Sequence, residues 1–384
     1  MILWQKENAQ TVCRIGIAGD FLPAGAFVLP SESTWSGISR AIAAHFQDVD
    51  VSIVNLECPL DVRDSKARVK MGMGANFNAP AEALNFLSSI KTGIVGIANN
   101  HIYDYGEEGL ELTKQAILAR GMAPLGCGRS LLDAPEVLVW ESPTRTKIAF
   151  WAAARGLSEN ATRNASGVEA ATRKRASDAL AEMTRQGAHL RIALIHAGLE
   201  HTNRPDPDDV GFIDSLAKLG FDVVAAAHSH RISGHKVVAR TGTQPAFCFY
   251  GLGSLLSGVM YTALEREGIL VVVGLDARGA IAQIEARPIY LDGTGWGTAP
   301  DIETSGIISH RFLRSSEEIF DGSYKRLFYK DTGQNLFHRQ FRDARVAFRQ
   351  GGVKGLARKL GRLRVRHLHR LLWKGFALRE YSSR

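Results

Sequence analysis

The feature that most constrains this chain is an alternation. Short apolar runs rich in β-branched residues recur, and helical spacings of apolar positions lie between many of them. The runs are residues 12–19 (VCRIGIAG), 49–57 (VDVSIVNLE), 92–99 (TGIVGIAN), 147–154 (KIAFWAAA), 191–198 (RIALIHAG), 221–230 (FDVVAAAHSH), 246–254 (AFCFYGLGS) and 268–276 (GILVVVGLD). Helical patterns cover 36–46, 79–90, 106–121, 173–187 and 209–220. Pro80 suits a helix first turn, and Gly121, Gly187 and Gly220 suit helix stops. Such alternation predicts a largely parallel sheet with helices packed outside. After residue 237 the strands follow without helices, which predicts an antiparallel meander or a second sheet that closes the domain.

The alternation stops near residue 305. This predicts a main domain over 12–304 and a helical, strongly basic C-terminal region over 305–384. The formal charge of +8 belongs to that end. Residues 339–384 hold 14 Lys/Arg against Asp343 and Glu380, so the remaining 33 Lys/Arg and 37 Asp/Glu leave the first 338 residues at −4. Arg362, Arg364, Arg366 and Trp373 lie where basic and apolar residues alternate, as in a basic amphipathic helix. Such a helix docks on an anionic membrane surface, binds an acidic polymer or nucleic acid, or packs its apolar stripe on the main domain. Trp373 favours the membrane, since indoles prefer headgroup depth.

The four cysteines lack ligand spacing, and three lie in apolar runs, which reads as buried free thiols. The N-terminus has no basic n-region followed by an apolar stretch, and no window reaches the ~20 apolar residues of a membrane span. A cytoplasmic protein, peripheral at the inner membrane at most, is the expectation.

The chemistry falls at the strand ends. Asp20, then Asn55 and Glu57, then Asn99, Asn100 and His101 close the first three runs; His196, His228 and His230 close later ones. In parallel α/β sheets, ligands collect outside the carboxyl ends of the strands. A mixed oxygen and imidazole set suits divalent Mn, Fe or Zn, and the missing thiolates argue against a structural Cys-type zinc site. Taken singly, each element has a plainer reading. Asp20 can be a turn residue, Asn99 to His101 a left-handed turn with Asp104 capping the next helix, and His196 a core histidine. His228 and His230 weigh more, because period-2 spacing in a strand puts both imidazoles on one face. The whole set, in this order, predicts a metal site.

Asp, carboxylate, Asn-His, His and His-x-His at successive strand ends resembles the calcineurin-like metallophosphoesterase superfamily. The words NLECPL, FNAPAEALNFL, IANNHIYDYGEEGLELT, PLGCG, IHAGLEH, AAAHSHRISG and FYGLGSLLSG resemble the blocks of one branch, the bacterial capsule-synthesis CapA family associated with poly-γ-glutamate. The resemblance covers roughly residues 13–292. It implies an α/β fold, a four-layer αββα double-sheet sandwich, with a cleft for two divalent ions at the strand ends. Asp20 and His230 would bind the first ion, Glu57 would bridge, and Asn100, His196 and His228 would complete the second. His101 would face the substrate as general acid, and Asp104 would orient it.

Glu200 and Arg231 lie near the implied cleft, as substrate contacts or as salt-bridge partners. Two departures stand out, both shared with the CapA branch. Asp20-Phe21-Leu22 lacks the imidazole of the superfamily's Asp-x-His, and Glu57 is a methylene longer than the usual Asp. The implied function is hydrolysis of a phosphoester or phosphoanhydride in capsule or exopolymer production. Its substrate would be anionic or phosphorylated, and its partners other capsule-synthesis proteins. The alternative is an accessory protein that uses the same cleft to bind an anionic polymer or an assembly partner.

Overall fold

The computed structural model describes residues 1–24, 42–62, 76–157, 160–162, 165–258, 262–290 and 306–332. The segment that carries Arg362, Arg364, Arg366 and Trp373 lies outside them. In chain order the elements are β1 (Ile2–Gln5), β2 (Cys13–Leu22), β3 (Val51–Leu56), α1 (Leu84–Ser89), β4 (Thr92–Gly96), α2 (Gly106–Leu118), β5 (Ala123–Leu125), β6 (Cys127–Arg129), β7 (Leu138–Glu141) and β8 (Lys147–Ala154). There follow β9 (Gly167–Val168), α3 (Arg173–Arg185), β10 (Leu190–His196), α4 (Pro207–Leu219), β11 (Val223–Ala227), β12 (His235–Val238), β13 (Ala246–Phe249), β14 (Ser254–Ser257), β15 (Glu267–Leu275), β16 (Ile281–Tyr290) and α5 (Ile307–Asp321).

Two large sheets result. The first runs β1-β16-β15-β2-β3-β4-β5 with β14 beside β2, and the second β12-β13-β11-β10-β8-β7. β2 to β5 are parallel, as are β8, β10, β11 and β13. The pairs β7–β8, β12–β13 and β15–β16 are antiparallel, as short loops require. The late strands thus serve both sheets: β12 and β13 extend the second, β14 to β16 the first.

Period-2 alternation lets the second sheet face two layers. Ile148, Phe150, Ile192, Leu194 and Val223 join Ile15, Ile17, Ile53 and Val54 of the first sheet in one core. Their neighbours Ala149, Trp151, Ala193, Ile195 and Val224 turn the other way, onto Ala176 and Met183 of α3 and Phe212 and Leu216 of α4. α1 and α2 pack on β4 and β5 of the first sheet. Helix, sheet, sheet and helix make the four-layer αββα sandwich.

The apolar run 246–254 is split between the sheets. β13 ends at Phe249 in the second, and β14 begins at Ser254 in the first. The crossing needs two glycines. Gly253 has φ +67°, and a Cβ on Gly19 would lie 2.0 Å from the Gly253 carbonyl oxygen. This close approach lets the Asp20 N–H donate to that carbonyl at 3.1 Å. β1, β5, β6, β7 and β9 were not anticipated; at two to four residues each they are too short to show a period.

The described part of the C-terminal region is helical in α5 and again over 324–332. Ser315 Oγ accepts the Gly234 N–H at 3.0 Å, and Ser316 Oγ accepts the His235 N–H at 2.9 Å. Phe312 reaches the core between the sheets and stacks 5.4 Å from the His235 ring. All four cysteines are buried free thiols. Among the described residues, no helix is long and apolar enough to cross a membrane.

Candidate metal centre

Asp20 lies near the end of β2, Glu57 just past β3, Asn100 past β4, His196 at the end of β10, and His228 and His230 past β11. The parallel strands of both sheets therefore deliver their carboxyl ends to one place. Glu57 is at its centre. It is wholly buried, with Oε1 3.5 Å from His196 Nε2 and 3.9 Å from His228 Nδ1, and Oε2 3.6 Å from His230 Nδ1. His230 Nδ1 is also 3.2 Å from Asp20 Oδ2. These atoms form two groups, Glu57–His196–His228 and Asp20–Glu57–His230, each within 4.8 Å, and Glu57 belongs to both. Asn100 Oδ1 stands 2.8 Å from His196 Nε2.

The donor set fits divalent cations. Both Glu57 oxygens and Nδ1 of His228 and His230 are buried with no hydrogen-bond partner among the described residues. A buried carboxylate left unpaired costs on the order of several kcal/mol, so something must neutralise it. Atoms that share one ion at about 2.0–2.2 Å stand roughly 3–3.5 Å apart, close to the separations found. The crowding of these groups also shifts their protonation. Burial, then the charge of Asp20, pushes the Glu57 carboxyl up, while burial and the facing imidazoles hold His196 well below the usual histidine range. Burial opposes a charge on His230, but Glu57 and Asp20 outweigh it and lift that imidazole to about 10.

Adjacent asparagines divide their work. Asn99 Nδ2 donates to the Leu56 carbonyl at 2.7 Å and to Asn55 Oδ1 at 3.2 Å, and its Oδ1 accepts the N–H groups of His101 and Ile102. Asn99 shapes the turn, and Asn100 reaches across it to His196. Asp104 does not cap the next helix as the turn reading had it. α2 begins at Gly106 with Tyr105 as its N-cap and no side-chain cap bond. Instead Asp104 Oδ2 lies 2.8 Å from His101 Nδ1 and accepts the Phe77 N–H at 2.8 Å, and the Phe77 ring rests 4.5 Å from the imidazole.

His228 and His230 meet through a turn and not along a strand. β11 ends at Ala227, and the two histidines have φ +110° and +55°. Strand periodicity does not aim them. They converge because a strained turn folds back on Asp20, whose Oδ2 accepts the His228 N–H at 3.0 Å. Strain of this kind gathers at functional sites. Leu22, two residues beyond Asp20 on the same strand, is buried in the core and offers no ligand atom.

Arg231 Nη2 reaches Glu265 Oε1 at 3.4 Å and Thr262 Oγ1 at 3.2 Å, and its Nη1 donates to Asn203 Oδ1. Glu200 Oε2 is 3.9 Å from His201 Nε2. Asn55, which the sequence places at a strand end without a role, donates to Asp20 Oδ1 at 2.8 Å. Two further side chains near the cluster, His201 and Glu265, carry no signal in the sequence. His201 Nδ1 is 3.1 Å from Glu265 Oε1, but 64 residues separate them and no local signal joins them.

The family model for bacterial capsule synthesis protein PGA_cap matches residues 14–259. A PGA biosynthesis protein CapA of Bacillus subtilis (strain 168) is 24% identical over 288 residues, 74% of this chain and 73% of that protein. A capsule biosynthesis protein CapA of Bacillus anthracis is 22% identical over 240 residues, and the match takes in 61% of this chain and 56% of that relative, little more than half its length. A probable polyglutamine synthesis accessory protein of Mycobacterium tuberculosis (strain ATCC 25618 / H37Rv) is 27% identical over 217 residues, 54% of this chain and 56% of that protein. Among solved structures, a 5'-nucleotidase precursor from Thermus thermophilus aligns with a TM-score of 0.46 at 12% identity, covering 80% of this chain and 59% of that one. The stretch matched by the family model holds every ligand-type residue from Asp20 to His230, and the chain belongs to the bacterial capsule synthesis protein PGA_cap family.

Proposed function

We propose that this chain is a metal-dependent hydrolase that cleaves a phosphoester or phosphoanhydride in the synthesis of a capsule or exopolymer of poly-γ-glutamate type. The observation that carries this reading is Glu57, a buried carboxylate shared by two groups of ligand-type atoms, neither of whose oxygens has a hydrogen-bond partner among the described residues. Asp20, Glu57 and His230 would hold one divalent ion, Mn, Fe or Zn; Glu57, Asn100, His196 and His228 would hold a second. Such ions supply Lewis-acid polarisation of phosphoryl oxygens and a water nucleophile near neutral pH.

The chain's own groups orient the reaction and move the proton. Asp104 Oδ2 accepts a hydrogen bond from the Nδ1–H of His101, which leaves Nε2 as the nitrogen for substrate. A histidine protonated on both nitrogens delivers the Nε2 proton to the leaving oxygen, the task of a general acid. Phe77 packs on the ring and limits its rotation. Asn55 and Asn99 hold Asp20 and the His101 turn in register.

Relatives named for capsule, PGA and polyglutamine synthesis support the pathway class, with other proteins of that assembly as partners. The basic segment 339–384 would keep the protein at an anionic membrane surface. Deleting it should abolish binding to anionic liposomes, and unchanged binding would sink that role.

The deciding experiment is metal content of protein purified without chelator, beside hydrolysis of bis-p-nitrophenyl phosphate. About two equivalents per chain and metal-dependent turnover, both lost in His228→Ala, are expected. No metal uptake after reconstitution would overturn the reading. Bound metal without turnover on any phosphoester would leave a binding protein in place of an enzyme.

A further inference from the structure

Glu265 ties the cleft to a neighbouring cavity. This buried carboxylate gathers His201 Nδ1 at 3.1 Å, Arg231 Nη2 at 3.4 Å and Thr262 Oγ1 at 3.3 Å on a single oxygen. Both of its larger partners border the metal centre. Arg231 directly follows His230, and the His201 ring lies 6.0 Å from the His230 ring. His201 is held there at φ +63°, its N–H donating to the Ser229 carbonyl at 3.0 Å. That is a left-handed residue kept in place by its contacts.

Beyond Arg231, towards α5, opens a cavity of about 200 Å³ whose lining includes Arg204, Arg231, Arg311 and Arg314. Two carboxylates line it as well. Glu318 is taken by Arg204 through bonds of 2.9 and 3.0 Å and by Arg314 Nε at 3.4 Å, and Glu267 accepts from Arg311 Nη1. Asp331 and Glu265 meet Arg204 and Arg231 from outside the lining. Arg204 is thus occupied in locking α5 to the loop it faces. The other three guanidiniums offer more N–H donors than these contacts use among the described residues, and Arg231 Nε is buried with no acceptor. Planar guanidinium forks pair with carboxylate or phosphate oxygens through two parallel bonds.

We infer that this arginine-lined cavity is an anion subsite that seats a carboxylate or phosphate group of the substrate remote from the bond that reacts. The substrate is then an extended anion, with one acidic group at the metal centre and another between Arg231, Arg311 and Arg314. This rests on the hydrolase reading only in assigning the anion to a substrate; the oxyanion affinity of the cavity does not depend on it.

Calorimetric titration tests it on the full chain, dialysed free of metal into phosphate-free buffer, with glutarate and separately with inorganic phosphate as probes. One oxyanion per chain is expected, at least tenfold weaker in Arg311→Gln and in Arg314→Gln. Arg314 is mostly exposed, at 68%, so its replacement leaves the fold intact even if Arg311→Gln does not. The tighter of the two probes identifies the acidic group. No binding of either probe, or equal binding in wild type and Arg314→Gln, would overturn the inference. Neither result involves turnover, so failure here leaves the hydrolase reading standing, and loss of turnover leaves this one.

Discussion

Asn55 and Asp20 are register partners on adjacent parallel strands, and the Asn55 amide donates to Asp20 Oδ1 across 2.8 Å. That bond turns the second oxygen, Oδ2, towards the His228 N–H and His230 Nδ1. Partners behind metal ligands orient them, and their loss typically costs about 10–100-fold in metal affinity. Asn55→Ala is expected to weaken divalent-metal binding by that order while every ligand-type side chain remains. Competition titration against a chelating dye measures it, and wild-type affinity in the variant would show that the bond is idle.

His101 and Asp104 form a pair outside the two groups of ligand-type atoms. His101→Ala should lower kcat on a phosphoester by roughly 10²–10⁴ with metal content unchanged, the range general acid catalysis contributes. Asp104→Asn should lower it less and also loosen the Phe77 contact. Equal loss of metal and turnover in His101→Ala would move the residue from acid to ligand support.

Leu22 stands two residues after Asp20, so the same strand face carries both side chains. Leu22→His is expected to tighten metal binding at the Asp20–Glu57–His230 group and to lower the melting temperature of the metal-free protein, since a buried apolar side chain is exchanged for an imidazole. Paired metal titrations and thermal melts decide it. Tighter binding must appear with metal present, or the position is not poised for a ligand.

His235 gives the pH dependence. Burial between Phe249 and Phe312 holds its imidazole down at about 4, against 6.5 for an ordinary histidine. Above pH 6.5 both folded and unfolded forms are neutral there and nothing is lost. As pH falls from 6.5 towards 4, the unfolded chain takes up a proton that the folded one refuses, so stability drops across that window. Melting temperatures at pH 7.5, 6.0 and 5.0 should fall more steeply in wild type than in His235→Gln. Parallel slopes would remove His235 as the cause.

Much of this protein is legible from local pattern. Apolar runs broken by helical spacings predicted the parallel strands, because burial on both faces leaves a signal within each run. At their ends Asp20, Asn55, Glu57, Asn99, Asn100, His101, His196, His228 and His230 stand out, because parallel strands deliver their carboxyl ends to one edge; which of them are ligands is what the family resemblance implies. What local pattern could not reach is whatever depends on contacts far apart in the chain. Tertiary structure alone decided that run 246–254 divides between two sheets, since only the meeting of Gly19 with Gly253 makes room for the crossing. It decided that His228 and His230 converge through left-handed turns held by Asp20, where strand periodicity would have placed them otherwise. It also joined His201 to Glu265 and Arg204 to Glu318, pairs 64 and 114 residues apart. Periodicity is a property of neighbours, whereas a site is a property of register and crossing, and those are set by which buried surfaces meet.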